Sequence, residues 1–553
     1  MASDSDSEVY ADNLSQIGSD LDIPDFDSEC ESDEDFFNPR RRRVLPIMSS
    51  DSEGSDSEEV EWSEFDNHPN IEPFLGQSGV VLKPNNPQSV SEVVQLFLGN
   101  DLFDYMAEES NRYHSQNIDR FKDSAKSLKW KDVSAVELKK MLGLLLLMGR
   151  VRKENRDEYW STDRTIETPI FAQVMSRDRF RQIWYAWHFS NNENNANERD
   201  RLNKIRPIVS YFKTKFEQVY KPERDLSLDE SIMPWRGRLL FKVYNASKIN
   251  KYGILIRMVC EAKTGYICNY EIYHGEGSRL QDTIIRLLQP YKNLWHHVYM
   301  NNYYNSVDTC QVLLQHGIRS CGTIRKNREL PPYLQDITLR RDESVFRRRG
   351  DILVQCWQSK RLVRMISTIH SASVIQSRNV DWNTKQNIWK PTCVVEYNKF
   401  MKGVDRADQY LSYYSIIRRT KKWTKRTVMF LINGALFNAF RVFQTLNANS
   451  KIKYKTFLHD VAKVWINENV KDNIDDPGPS TSYRRNIFPK RLLDASKHNI
   501  VKITGGKKIH PQRQCHVCAT HKKKSLTCFM CQLCSVPLHK GECFHKFHTC
   551  NKY

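Results

Sequence analysis

Near the C-terminal end four cysteines stand in two close pairs, Cys515 with Cys518 and Cys531 with Cys534, and His539, Cys543, His545, His548 and Cys550 follow. A thiolate pair at this spacing occupies two corners of a tetrahedral Zn²⁺ site, and two pairs with this Cys/His set supply ligands for two Zn²⁺ ions. Lys522, Lys523, Lys524, Lys540 and Lys546 crowd the same stretch, so a metal-built module there presents positive charge, which suits a nucleic acid partner. A second set of residues suits different chemistry. Asp229 lies in Ser-Leu-Asp-Glu-Ser at the end of a strand-like run, and Asp405 and Asp408 lie three apart in Lys-Gly-Val-Asp-Arg-Ala-Asp-Gln. Three residues is nearly one helical turn, so both carboxylates face the same way. Carboxylates from a strand and a helix can converge on hard cations such as Mg²⁺ or Mn²⁺, which take oxygen ligands. Two such ions roughly 3.5–4 Å apart activate water or a 3′-OH in phosphoryl transfer. Solvated Asp pairs are also common, and the spacing alone leaves both readings open.

The elements that must position these groups change character along the chain. Residues 85–224 read as helical. Ser134 and Glu137 form a capping box ahead of Leu138, Met141, Leu142 and Leu145, and Gly149 ends that helix. Arg177–Phe189 suits a helix with an aromatic core face (Phe180, Trp184, Trp187, Phe189) and a basic outer face (Arg177, Arg179, Arg181). From residue 226 the pattern becomes that of strands, at Leu226–Ile232, Gly253–Glu261, Tyr266–Tyr273 and His297–Met300. A helix follows from an N-cap at Ser306 to Gly317, then a strand at Gly322–Arg325. Antiparallel strands followed by strand, helix and strand predict an α/β layer fold. Further short strands at Ile352–Trp357 and Leu362–Ile369 read as an insertion, helical pattern returns from Tyr397 and strengthens through Trp423–Phe443, and the polar, Pro- and Gly-containing stretch 473–514 reads as a linker.

Charge is divided sharply. The chain has 553 residues and a net charge of +18, yet residues 1–66 hold 21 Asp/Glu against 4 Arg, a net of −17, leaving +35 on the remainder. A body this basic points to phosphate binding; a generic basic protein is the plainer alternative. The Ser/Asp/Glu-rich residues 1–66 are too polar to fold. Many serines there have an acid three residues on, such as Ser3 with Asp6 and Ser5 with Glu8, which suits a kinase as partner, and phosphorylation would add negative charge. One expectation is that this tail competes with DNA for the basic body; a solubilising role is the other. Arg40–Arg43 are a weak signal for nuclear import. No apolar run approaches the roughly 18 residues of a membrane span, so no membrane partner is expected. Fourteen cysteines without a secretory signal argue for metal rather than disulfides.

Several long motifs occur in an order that resembles piggyBac-family DNA transposases along nearly the whole chain. They are Leu-Ser-Leu-Asp-Glu-Ser (226–231), Trp-Arg-Gly-Arg (235–238), Lys-Tyr-Gly-Ile (251–254), Tyr-Met-Asn-Asn-Tyr-Tyr-Asn-Ser (299–306), Gly-Thr-Ile-Arg-Lys-Asn (322–327), Met-Lys-Gly-Val-Asp-Arg-Ala-Asp-Gln-Tyr (401–410) and the cysteine-rich end. The resemblance implies an RNase H-like catalytic core with a β-rich insertion, flanked by a split helical dimerisation and DNA-binding domain, plus a C-terminal cross-brace zinc domain. It implies a homodimer acting in the nucleus on terminal inverted repeats, excising and integrating at TTAA by cut and paste. The corresponding boundaries are an acidic tail (1–66), a first helical part (67–224), a first core part (225–330), the insertion (331–392), a second core part (393–418), a second helical part (419–472), the linker (473–514) and the zinc domain (515–553).

Residue by residue, the resemblance assigns the first catalytic Asp to Asp229, the third to Asp405 and a further essential Asp to Asp408. Trp423 matches a family tryptophan near the active site, where it would stack on an unpaired base or simply pack in the core. The second catalytic Asp falls at Asn301, a departure from the pattern. Asn is nearly isosteric with Asp but neutral, and a poorer ligand for Mg²⁺ or Mn²⁺, so cleavage is expected to be impaired while the fold and DNA binding survive. The alternative is a non-catalytic, sequence-specific DNA-binding protein derived from a transposase. In the zinc domain the cross-brace pattern pairs Cys515 and Cys518 with His539 and Cys543, and Cys531 and Cys534 with His548 and an eighth ligand, His545 or Cys550, with Cys528 or His521 further choices.

Overall fold

The computed structural model describes residues 45–46, 61–118, 130–193, 200–245, 248, 250–275, 279–380, 387–468, 498–503, 511–521, 523–532, 534 and 536–550. The expectations for residues 1–44 and 47–60, including Arg40–Arg43, Ser3 and Ser5, and for residues 473–497 of the linker lie outside these. Residues 45–46 and 61–66, expected to be unfolded with the acidic tail, are instead joined to the folded unit, because Leu45–Pro46 pair with Val243–Tyr244, Ser63 bridges to Arg348 and Asp66 pairs with Arg348 at 2.7 Å. Two units form, Met1–Val470 and Lys471–Tyr553.

A ten-stranded mixed sheet organises the first unit. Its strands are β1 (Leu45–Pro46), β2 (Asp225–Pro234), β3 (Val243–Tyr244), β4 (Tyr252–Glu261), β5 (Ile267–Ile272), β6 (His296–Met300), β7 (Ile318–Thr323), β8 (Ser344–Arg349), β9 (Ile352–Gln358) and β10 (Leu362–Ser367). The order is β1-β3-β4-β2-β6-β7-β10-β9-β8, with β5 also on β4. β2 is antiparallel to β4 and parallel to β6. β6 and β7 are parallel, joined through the helix Val307–Gln315 that Ser306 caps, the crossover that parallel strands require. Every residue of β6 is buried and eight of ten in β2 are, as expected of central strands covered on both faces.

The strand expected at Gly322–Arg325 instead spans Ile318–Thr323. Gly317 adopts φ +63° directly after the helix, turning the chain at once into β7. The stretch 331–392 contributes β8, β9 and β10 to the main sheet, with β10 hydrogen-bonded to β7. Asp229 lies mid-strand in β2 rather than at its end.

Helices pack around this sheet. We label Ala135–Arg150 as α1, Arg206–Val219 as α2, Leu280–Leu288 as α3, Gly403–Ser412 as α4 and Trp423–Leu446 as α5. The Ser134/Glu137 capping box starts α1, and Arg179 grips Glu137 through two hydrogen bonds of 2.8 and 2.7 Å. Arg181 likewise pairs with Asp157, so two of the three arginines expected on a free basic face hold neighbouring elements. The central helix α5 is buried from Thr427 to Phe440 without a break, which its all-round apolar composition requires. Its buried Asn438 accepts from Ile267 N at 2.8 Å and donates to Ile267 O at 2.9 Å, fastening α5 to β5. No helix among the described residues is long and apolar enough to cross a membrane.

The second unit is built on short pieces. Ile500–Lys502, Phe529–Cys531 and Val536–Pro537 form a three-stranded sheet, Arg513–Gln514 pairs with Leu526–Thr527, and the helices are His516–Thr520 and Glu542–Thr549. Its buried apolar residues are few, chiefly Val517, Leu538 and Phe547. A core this small leaves stability to other devices.

Candidate functional site

β2 and β6 run parallel with Leu228 opposite Met300. The next residue on each strand is therefore Asp229 or Asn301, and the two side chains meet. Asn301 follows the last residue of β6, in a turn held by Asn305, whose Nδ2 donates to Met300 O, Asn301 O and Thr323 O at 2.9, 3.2 and 3.0 Å. Gly322 of β7 makes this possible, because a Cβ there would stand 1.8 Å from Met300 O and 2.4 Å from Asn305 Nδ2. From the other side α4 lies close on the sheet. Gly403 permits this approach, since a Cβ would come within 2.2 Å of Ser227 Oγ. One turn on, Ser231 Oγ donates to Asp408 Oδ1 at 2.5 Å. Asp405, in the first turn of α4, remains exposed.

The Asn301 amide has a defined orientation. Its Oδ1 accepts from Tyr303 N at 2.8 Å, and its Nδ2 donates to Asp229 Oδ1 at 2.6 Å and reaches Glu230 Oε2 at 3.4 Å. A backbone donor on one side and a carboxylate on the other admit only this arrangement. Lys248 Nζ donates to Asp229 Oδ2 at 3.0 Å. Burial, and then the charge of Glu230, push the Asp229 carboxyl up to about 8 against the pull of Lys248. Burial likewise pushes Asp408 up to about 7, opposed by the Ser231 hydrogen bond and Lys248. Burial works against the Lys248 charge, yet Asp229, Glu230 and Asp405 together hold its pKa above the ordinary value. The fold thus gathers the separated residues Asp229, Asn301, Asp405 and Asp408 around Lys248.

This arrangement does not fit a pair of hard cations. Both Asp229 oxygens are engaged, by a cation and by an amide. Asn301 turns N–H groups toward the carboxylates, where a metal needs oxygen lone pairs. Among the described residues, no three acidic side chains bring oxygens within 4.8 Å of one another. Lys248, Glu230, Ser231 and Asn305 were not singled out as site residues by their sequence pattern. Glu230 is the next residue after Asp229, and Asn305 closes the Asn-Asn-Tyr-Tyr-Asn run, but Lys248 has no marker of spacing. Trp423 begins α5 and meets Phe241 edge to face, ring centroids 5.3 Å apart, half-buried against the core.

In the second unit two tetrads form, and these fit zinc. Cys515, Cys518, His539 and Cys543 bring their ligand atoms together, as do His498, Cys531, Cys534 and His548. In the first, Cys518 Sγ lies 3.5 Å from His539 Nδ1 and 3.8 Å from Cys543 Sγ. A tetrahedron with Zn–S bonds of about 2.3 Å has edges of about 3.8 Å. In the second, His498 Nδ1 lies 3.5 Å from both Cys531 Sγ and Cys534 Sγ, and His548 Nε2 lies 3.6 Å from Cys534 Sγ. Outer contacts set the tautomers. His539 Nε2–H donates to Leu526 O at 3.1 Å and His548 Nδ1–H to Phe544 O at 2.7 Å, each leaving the opposite ring nitrogen for metal. The fourth position of the second tetrad belongs to His498, not to His545 or Cys550, and Cys528 and His521 also stand outside it. His498 lies within the stretch that reads as linker, and pairing of Ile500–Lys502 with Phe529–Cys531 carries it to the cysteines. The tetrads alternate along the chain, as a cross-brace requires.

Comparison with known proteins agrees with this architecture. Residues 90–440 match the family described as Transposase IS4. Human PiggyBac transposable element-derived protein 3 is 25% identical over 536 residues, covering 92% of this chain and 83% of that protein. Human PiggyBac transposable element-derived protein 2 is 24% identical over 401 residues, covering 68% of this chain and 65% of that protein. The piggyBac transposase in a cryo-EM synaptic complex with hairpin DNA superposes with a TM-score of 0.62 at 24% identity, covering 71% of this chain and 83% of that chain, so the fold is shared. The chain belongs to the Transposase IS4 family, of piggyBac type.

Proposed function

We propose that this protein recognises DNA as a piggyBac-type transposase does, and that its strand-cleavage chemistry is blocked at Asn301. The observation that carries this reading is the orientation of Asn301, whose amide nitrogen donates to Asp229 at 2.6 Å while its oxygen is held by Tyr303 N. Within this reading the first unit supplies an RNase H-like core with its split helical DNA-binding and dimerisation domain. The second unit, loaded with two Zn²⁺, binds terminal inverted repeats. The protein works as a homodimer in the nucleus, on repeats flanked by TTAA. A net charge of +35 outside residues 1–66 supports a polyanionic partner. The acidic tail, modified by a kinase, would compete for that surface.

With an aspartate at position 301 the site would regain the carboxylate that Mg²⁺ or Mn²⁺ needs beside Asp229 and Asp405, with Asp408 close by. The test is plasmid excision from TTAA-flanked ends, comparing the natural chain with Asn301→Asp in the presence of Mg²⁺. Excision by Asn301→Asp alone, by about a hundredfold or more over the natural chain, is the expected result. Excision by the natural chain at the same level would overturn the block. A second reading, a DNA-binding protein with no recoverable chemistry, is favoured by Lys248 occupying Asp229. It predicts end binding by both proteins and excision by neither.

A further inference from the structure

One strand over from Asp229, where Arg257 stands in register with Glu230, a cavity of about 470 Å³ opens between α2, β4, β5 and α3. That volume lies in the range of small-molecule sites, about 300–1,000 Å³. Four cationic side chains line it, Arg206, Lys213, Arg257 and Arg286, and Glu271 is the one carboxylate among its lining residues. Glu271 is shared, accepting from Arg257 Nη1 at 3.3 Å and from Arg286 Nε at 2.7 Å. Arg206 pairs with Asp200 from outside the lining, at 2.6 Å. Lys213 is left over. Its ammonium stands 6.0 Å over the Tyr270 ring, and among the described residues no carboxylate pairs with it. Burial, reinforced by Arg206 and Arg286, holds its pKa below the ordinary value despite Glu271. Arg257 has a side chain only 9% exposed, and its Nε is buried with no hydrogen-bond partner.

A concave site that concentrates positive charge is unfavourable when empty of anions, because like charges in reduced dielectric repel. An oxyanion accepting from Lys213 and the guanidinium groups would relieve that repulsion and supply charge-assisted hydrogen bonds. Arg is suited to planar, two-point recognition of phosphate, with Lys adding a point charge. We propose that this cavity binds phosphate oxyanions, with Lys213 as the principal cation and Glu271 as the internal anion that the ligand works against. The phosphate could belong to a free diphosphate compound or to a nucleic acid backbone, since both present the same chemistry.

The probe is inorganic pyrophosphate titrated calorimetrically into the full chain at low ionic strength. Saturable binding is expected. Lys213→Gln should weaken it about tenfold or more, the effect of losing one charged hydrogen-bond donor. Glu271→Gln should tighten it, a change that misfolding cannot imitate. Absence of saturable binding, unchanged affinity in a folded Lys213→Gln, or weaker binding by Glu271→Gln would each overturn the site. A DNA duplex distinguishes the two sources. If the phosphate is the backbone's, duplex displaces pyrophosphate, and Lys213→Gln lowers the slope of log K against log salt by about 0.9. If it belongs to a free compound, duplex affinity and slope stay as they were and pyrophosphate binding alone is lost.

Discussion

Asn301 donates to Asp229 at 2.6 Å, a separation at which two ionised carboxylates could coexist only with a cation or a proton between them. The amide turns that requirement into an ordinary hydrogen bond, so the site closes on itself without metal. Asn301→Asp should reverse this. In metal-free buffer the variant is expected to be less stable than the natural chain by about 2 kcal/mol, from carboxylate repulsion against Asp229 and Glu230. Mg²⁺ or Mn²⁺ should restore much of the loss while leaving the natural chain nearly unaffected. Thermal melting with and without the cation checks this, and equal responses in both proteins would contradict it.

Asp408 offers a pH test. Its carboxyl is raised by burial to about 7, above the unfolded value, so its contribution to stability is complete below about pH 4 and is lost as pH rises to about 7. Asp408→Asn removes that dependence while keeping an oxygen for the Ser231 hydroxyl. Relative to the natural chain, the variant should gain about 2–3 kcal/mol between pH 5 and pH 8. Denaturant melts at the two pH values measure the difference, and parallel profiles would count against a proton-binding Asp408.

Zinc content separates His498 from its competitors. The intact chain should hold two Zn²⁺, and His498→Ala should lower occupancy or affinity at one site. His545→Ala and Cys550→Ser should leave both sites loaded, because neither joins a tetrad. Elemental analysis of the purified full chain after mild chelation reads this directly. Complete chelation should unfold the second unit, whose apolar core is small.

Gly403→Ala probes the seating of α4. The added Cβ would come within 2.2 Å of Ser227 Oγ and 3.0 Å of Glu261 O, forcing the helix off the sheet at a cost of about 1–3 kcal/mol. Since the same helix carries Asp405 and Asp408, excision by a chain already bearing Asn301→Asp should fall further than stability alone explains. Loss of excision in step with the folded fraction would mean that seating and geometry are separable.

Much of the local structure was legible in the residues. The Ser134/Glu137 box marks the start of α1, short apolar runs mark β2, β4 and β6, and the Cys515/Cys518 and Cys531/Cys534 pairs mark where the two tetrads form. These are short-range patterns, where side-chain period, capping and ligand spacing act within a few positions of each other. The boundaries that slipped are those where a long-range partner decides. β7 begins at Ile318 because β6 is there to pair with it, and β8–β10 join the main sheet through β7.

The sequence by itself determined the charge division, the two thiolate pairs, and the kinds of side chain at positions 229, 301, 405 and 408, because composition and spacing need no partner. Only the tertiary structure decided which way the Asn301 amide points, that Lys248 sits on Asp229, and that His498 completes the second tetrad. Beside the local Tyr303 N bond to the Asn301 oxygen, each of these depends on contacts between residues 19 to 72 positions apart. Such contacts form only after chain entropy has been overcome by packing elsewhere in the unit, so nothing near any one of these residues announces its partner.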